Sequence, residues 1–157
     1  MASSRAGGTL PAIPIVGPEP ACLRHACSAC CHDTEMLLTE TDVARLALES
    51  PGLDFAFVAD DGYLQLRTRD APPVAGMSGK PCIFLDGDGR CTVWEQRPEG
   101  CRLYPAIWDE DLRRAHLDAD HCPHPDGFRL APLTEAAVKR LADKLAAERA
   151  ARANPNR

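Results

Sequence analysis

Four cysteines fall within ten residues: Cys22, Cys27, Cys30 and Cys31. Cys27 and Cys30 are spaced C-x2-C, which lets two thiolates reach one metal from a tight turn. The residues between them, Ser28 and Ala29, are small and allow backbone N–H groups to face sulfur. Four more cysteines follow at Cys82, Cys91, Cys101 and Cys122. A thiolate binds metal and a thiol does not, so a multi-cysteine site is stable with metal bound or as oxidised pairs. The pattern reads as a soft-metal or iron–sulfur site assembled from separated segments. Cys30 and Cys31 are adjacent, and neighbouring side chains diverge. The pair is expected to serve different metals or to bridge a multinuclear centre.

Cys22-x4-Cys27-x2-Cys30 also has the plant-type ferredoxin spacing, which needs a distant fourth cysteine. Cys82, Cys91, Cys101 or Cys122 could supply it. His25, His32, His121 and His124 flank cysteines. Each can be an imidazole ligand, but the simpler reading is a surface or supporting residue. Asp33 and Glu35 read as solvated carboxylates.

The chain that must position these thiols has 157 residues, enough for one domain with a modest core. Aromatics make up 5 %, and 14 prolines with 11 glycines imply many turns and little long regular structure. A loop-rich chain with a small core needs a staple, either disulfide or metal. The net charge of −5 argues against nucleic-acid binding, which needs a concentrated basic surface. Arginine outnumbers lysine, 15 to 3, a bias that fits a GC-rich coding sequence. The first twenty residues lack the continuous apolar run of a signal peptide, and no segment has membrane-spanning length. The expected setting is the reducing cytoplasm, where eight cysteines point to metal rather than to four disulfides.

Residues 1–20 read as a flexible N-terminal arm, or as an ordered one if Ile13, Ile15 and Val16 pack on the domain. Residues 21–133 form the cysteine-cluster domain, 134–152 a C-terminal helix, and 153–157 a disordered tail. Thr39 is a good N-cap for a helix over 40–49, ended by Pro51-Gly52. Residues 63–68 suggest a strand. Cys82–Leu85 and Arg90–Trp94 flank an Asp/Gly turn and read as a β-hairpin bringing Cys82 and Cys91 together. Pro98 starts a helical turn carrying Cys101 and Arg102. Residues 113–116 suggest a short strand or loop, and 121–127 a loop. Thr134 is taken as the cap of a helix over 135–151, with Val138, Leu141 and Leu145 as its apolar stripe. The fold class is α+β: a small, irregular, loop-rich domain with short helices and a β-hairpin around a cysteine-ligated metal site.

Read together, the two blocks resemble a known family. Cys27-Ser28-Ala29-Cys30-Cys31, then Leu38-Thr39-Glu40, is similar to the start of the YkgJ-type cysteine-cluster family, described as a zinc- or iron-chelating domain. Cys82-Ile83-Phe84-Leu85, Gly89-Arg90-Cys91, Arg97-Pro98 and Cys101-Arg102-Leu103-Tyr104-Pro105 are similar to that family's C-x-F-L…G-R-C…R-P…C-R-x-Y-P pattern. The resemblance implies metal ligation by Cys27, Cys30, Cys31, Cys82, Cys91 and Cys101. Many members place a further cysteine where this chain has Arg24. Cys22 and Cys122 are the additional candidate ligands. Arg97 and Arg102 are candidate cofactor-binding residues, whose guanidinium groups can offset thiolate charge or bind an anion. The competing reading pairs them with Glu95 or Glu99. Trp94 and Tyr104 read as core.

The functional expectation is a cytoplasmic protein chelating zinc or iron, the iron free or in an iron–sulfur cluster, with a redox or metal-handling role and a protein or redox partner of unknown identity. The alternatives are a structural zinc module for protein interaction and, ranked last, a protein-modifying enzyme related to flagellin lysine N-methylases.

Overall fold

A computed structural model describes residues 11–156. Four α-helices and two antiparallel two-stranded sheets make a mixed α+β fold: α1 (Ala21–Arg24), α2 (Glu40–Glu49), β1 (Ala56–Val58), β2 (Leu64–Leu66), α3 (Glu99–Leu103), β3 (Ala106–Asp109), β4 (Arg114–Leu117) and α4 (Pro132–Ala153). β1 pairs with β2 from Ala56↔Leu66 to Val58↔Leu64, and β3 with β4 from Ala106↔Leu117 to Asp109↔Arg114.

Helix α2 starts where the sequence places it. The Thr39 side chain accepts from the Asp42 amide, and the Asp42 carboxylate accepts from the Thr39 amide, both at 3.0 Å. Asp42 is 1 % exposed, and its Oδ1 also accepts from the amide of Glu99 and from Arg45. One buried carboxylate therefore caps two helices, and the second, α3, carries Cys101 and Arg102.

Two expectations are corrected. Helix α4 begins at Pro132, with Ala131 as N-cap, so Thr134 lies buried inside the first turn rather than capping it. Proline at the first helical position has no N–H to leave unpaired, which moves the start upstream. The expected hairpin at 82–94 is not a pair of strands. Leu85 and Cys91 share one isolated bridge, and the Leu85 amide turns back to the Cys82 carbonyl at 2.9 Å. The chain reverses across Asp86, whose Oδ1 accepts from the amides of Asp88 and Arg90. Cys82–Leu85 is drawn into a turn by the Leu85 amide on the Cys82 carbonyl. Across the reversal only the Asp86 amide to Arg90 carbonyl and the Thr92 amide to Phe84 carbonyl bonds keep an antiparallel pairing.

Two hydrophobic clusters hold the fold. In one, Ala137, Val138, Leu141 and Leu145 of α4 pack with Ile13, Leu103, Ala106 and Ala115. In the other, Leu38, Leu46, Phe55, Leu66, Phe84, Leu85 and Val93 pack with Cys82. Each buried Leu-sized side chain contributes about 2 kcal/mol. The far end of α4 reaches the second half of the fold through polar contacts. Arg149 donates to the Asp61 carbonyl at 2.6 Å, and Arg152 to the Gly62 carbonyl and to Glu40.

Of the N-terminal segment, Ile13 is buried, its amide donates to the Arg102 carbonyl, and Ile15 bridges Phe128. Positions 1–10 and 157, parts of the expected arm and tail, lie outside the described residues.

Candidate metal centre

All eight cysteines line one cavity of about 420 Å³. It lies between the two hydrophobic clusters, with Ile13 and Phe128 of one wall facing Leu66, Phe84 and Val93 of the other.

The cysteines arrive on separate pieces of chain. Cys22 rides on α1, and its carbonyl accepts from the Cys27 amide at 2.7 Å. Cys30 and Cys31 occupy a 3₁₀ turn, Ala29–Cys31. Cys101 sits on α3, which packs closely enough on the preceding segment that a Cβ at Gly100 would meet the Met36 sulfur at 2.5 Å. Cys122 follows β4, its amide donating to the Asp118 carbonyl. Gly127 serves the same rim of the cavity, since a Cβ there would meet Ala21 on α1 at 2.5 Å.

Backbone amides point at several sulfurs. Phe84 and Leu85 offer theirs to Cys82, Val93 to Cys91, and His124 to Cys122. An amide two residues after a cysteine stabilises its thiolate. The sequence suggests this geometry for the Cys27–Cys30 turn. The structure adds it at three single cysteines, of which only Cys122, followed by Pro123, carries a turn signal in the sequence.

Cys30 and Cys31 do not diverge as expected. Both face the cavity, and the Cys31 thiol donates to Cys30. That contact raises Cys31 and lowers Cys30. The cavity is wide enough to be lined by two consecutive residues of one turn. Cys30 carries exposed surface and also lines the cavity.

Elsewhere burial dominates. It pushes the Cys82 thiol up to about 11 and raises Cys22, Cys91, Cys101 and Cys122, with neighbouring cysteines adding to the effect. These groups are thiols at neutral pH until a cation offsets the cost of charge. All eight are free.

Arg97 and Arg102 also line the cavity. Neither pairs with Glu95 or Glu99 through a carboxylate among the described residues. Arg97 lies over the Trp94 ring at 3.9 Å and donates to the Trp94 carbonyl, while Arg102 donates to the carbonyls of Pro11 and Glu95. Their positive charge is thus left facing the thiols. Burial and the Arg102 charge lower the Arg97 pKa, and the nearby Cys101, Cys91 and Cys22 act in the opposite sense.

Tyr104 joins the wall as well as the core. Its hydroxyl donates to Asp118 at 2.7 Å, and burial followed by this bond raises it. His32 is not among the lining residues. Its Nδ1 lies 2.9 Å from the Ser28 carbonyl and its Nε2 accepts from the Val74 amide, so both nitrogens are engaged. His121 contacts Asp118 at the surface. Asp33 accepts from the Lys80 amide. Of the flanking histidines, His124 alone lines the main cavity.

As the side chains stand, no three His, Cys, Asp or Glu among the described residues converge on one point. The donor set nevertheless suits a soft cation: eight thiols, no carboxylate on the wall, apolar surroundings and two compensating guanidinium groups. Rotation between staggered χ1 wells is the adjustment that would bring thiols together.

The family model "CxxCxxCC: Putative zinc- or iron-chelating domain" matches residues 21–123, about two thirds of the chain. The chain belongs to this family. The match takes in all eight cysteines and agrees with the resemblance carried by the two cysteine blocks. Metal chelation, by zinc or iron, is the family's described property. This member departs from the name's own pattern, having Arg24 where the first cysteine of CxxCxxCC would fall. Cys22, one helical residue pair earlier, lines the cavity instead. No curated protein and no solved structure matches the chain. Among the described residues no helix is long and apolar enough to cross a membrane.

Proposed function

We infer that this protein holds zinc or iron at a thiolate centre built from Cys22, Cys27, Cys30, Cys31, Cys82, Cys91, Cys101 and Cys122. The observation that carries this reading is the convergence of all eight cysteines on one cavity. A tetrahedral site takes four ligands, so eight donors suit two zinc ions or an iron–sulfur centre better than one mononuclear ion. Bound metal would hold the thiolates ionised. The chain's own contribution is the apolar wall, the amides aimed at sulfur, and Arg97 and Arg102 set against the anionic charge. Eight unpaired cysteines fit a reducing compartment such as the cytoplasm, and a centre of many thiolates fits a metal-handling or redox role there.

A structural reading also has support. The cavity lies between the two hydrophobic clusters, so metal bound there would tie the halves of a loop-rich fold together.

Anaerobic purification followed by elemental analysis and an absorption spectrum tests the reading. Stoichiometric zinc in a colourless sample, or iron with a thiolate band near ~400 nm, supports it. Protein that retains neither metal under reducing, anaerobic conditions overturns it.

A further inference from the structure

We propose that a second, outer pocket formed by His25, Cys27, Met77 and His124 is the port through which the metal ion enters the cysteine cavity. This rests on the reading of that cavity as a metal centre. The outer pocket has a volume of about 390 Å³, and Cys27 and His124 line both it and the inner cavity. A thiol and an imidazole are therefore shared by the two spaces. On the outer side, the His25 ring stacks on His124 with centroids 4.0 Å apart and planes 14° from parallel. His25 is exposed, His124 half-buried, and Cys27 half-buried, so the donors run inward from solvent.

The chemistry of these groups matches the cargo. Two imidazoles, a thiol and a thioether are borderline or soft donors, and no carboxylate lines the pocket. Such a set accepts zinc or ferrous ions and discriminates against magnesium and calcium, which need oxygen ligands. The inner cavity is walled largely by apolar side chains, and an ion reaching its thiols must shed its water. Imidazoles at the mouth can replace part of that hydration before the thiols engage. Cys27 is placed to belong to both stages, first as a port donor and then as a ligand of the centre.

The test is a loading experiment on the reduced, metal-free full chain. It is mixed with Zn²⁺, or anaerobically with Fe²⁺, whichever the wild type retains, and uptake is followed in time to its end point. His25→Ala is the informative variant, since His25 lines only the outer pocket and is exposed. It is expected to slow uptake several-fold while the final metal content stays that of the wild type. His25→Cys, which restores a soft donor without the ring stack, is expected to recover most of the rate. Uptake by His25→Ala at the wild-type rate overturns the port. A reduced final metal content also overturns it, because His25 would then be a ligand of the centre. A wild type that takes up neither metal rejects the centre itself, a result distinct from either of these.

Discussion

The amide of Cys82 donates to the carbonyl of Cys31 at 2.6 Å. This bond joins the last cysteine of the first block to the first cysteine of the second. It belongs to a short ladder in which His32 bridges Pro81 and the Asp33 amide donates to the Lys80 carbonyl at 2.8 Å. The halves of the site are thus registered by backbone, leaving the thiols to adjust by rotation.

Removal of metal by a chelator under reducing conditions should lower the melting temperature while most helical circular dichroism survives at room temperature. Metal that binds only the folded state stabilises it, whereas α4 and its cluster do not depend on the cysteines. Differential scanning calorimetry before and after chelation reads this. An unchanged melting temperature would contradict it.

Cys27→Ser and Cys101→Ser are each expected to lose metal and stability, because a lost ligand is lost folding energy. Cys101 sits on α3, which packs tightly on Met36 through Gly100, so its loss should be the more severe. Cys22 stands on the cavity wall although it is offset from the family's pattern, and Cys22→Ser should show a smaller loss. Metal content per chain decides each case, and full retention removes that cysteine from the site.

Arg97→Ala should weaken metal affinity by about tenfold, the lower end of what groups around a metal site contribute. Arg97→Lys keeps the charge but not the planar stack on Trp94 and should fall between. Competition with a chromogenic chelator measures both. Equal affinity in all three proteins would make Arg97 a packing residue only.

The raised thiols give a pH signature. In the metal-free protein, burial holds Cys82 near 11 against an ordinary thiol value of 9.0. The unfolded chain therefore loses that proton first. The stabilisation is fully present below about 9 and is lost as pH rises through 11, so metal-free protein should weaken in alkali. Metal binding reverses the preference. Thiols must release protons to ligate, so affinity should rise with pH. Titration calorimetry in buffers of different ionisation enthalpy counts the protons, and binding without proton release would contradict the assignment.

Asp42→Ala should cost about 3 kcal/mol, since it strands two helix-capping amides and the Arg45 charge in the interior. Urea unfolding of the metal-loaded protein measures this, and a loss below about 1 kcal/mol would contradict the double-cap role.

The sequence signals that proved readable were local. Thr39 and Asp42 announce the start of α2, Pro98 the turn bearing Cys101, and the stripe Val138, Leu141 and Leu145 the buried face of α4. The two cysteine blocks are legible as segments that the fold brings to one cavity, because residue type and spacing carry the chemistry. Four features are not legible in the sequence. The β3–β4 hairpin was seen only as a strand or loop at 113–116, because its turn at Leu112-Arg113 lacks glycine and Arg113 itself takes a positive φ of 49°. The start of α4 differs from the sequence expectation because Pro132, two residues before the capping-type Thr134, already opens the helix. The 82–94 segment has strand-forming residues, but a turn closed by the Leu85 amide on the Cys82 carbonyl interrupts it, and propensity does not register that. The stacking of His25 on His124 joins residues far apart in sequence and has no local signature.

Thiol protection tests the central claim most directly. The metal-loaded protein is alkylated under native, reducing conditions and then again after denaturation with chelator, and each cysteine is assigned by mass spectrometry. A single eight-cysteine centre requires that all eight resist the first alkylation and react in the second. Ready alkylation of the eight in metal-loaded protein, or disulfides in place of free thiols after denaturation, would contradict a single eight-cysteine centre.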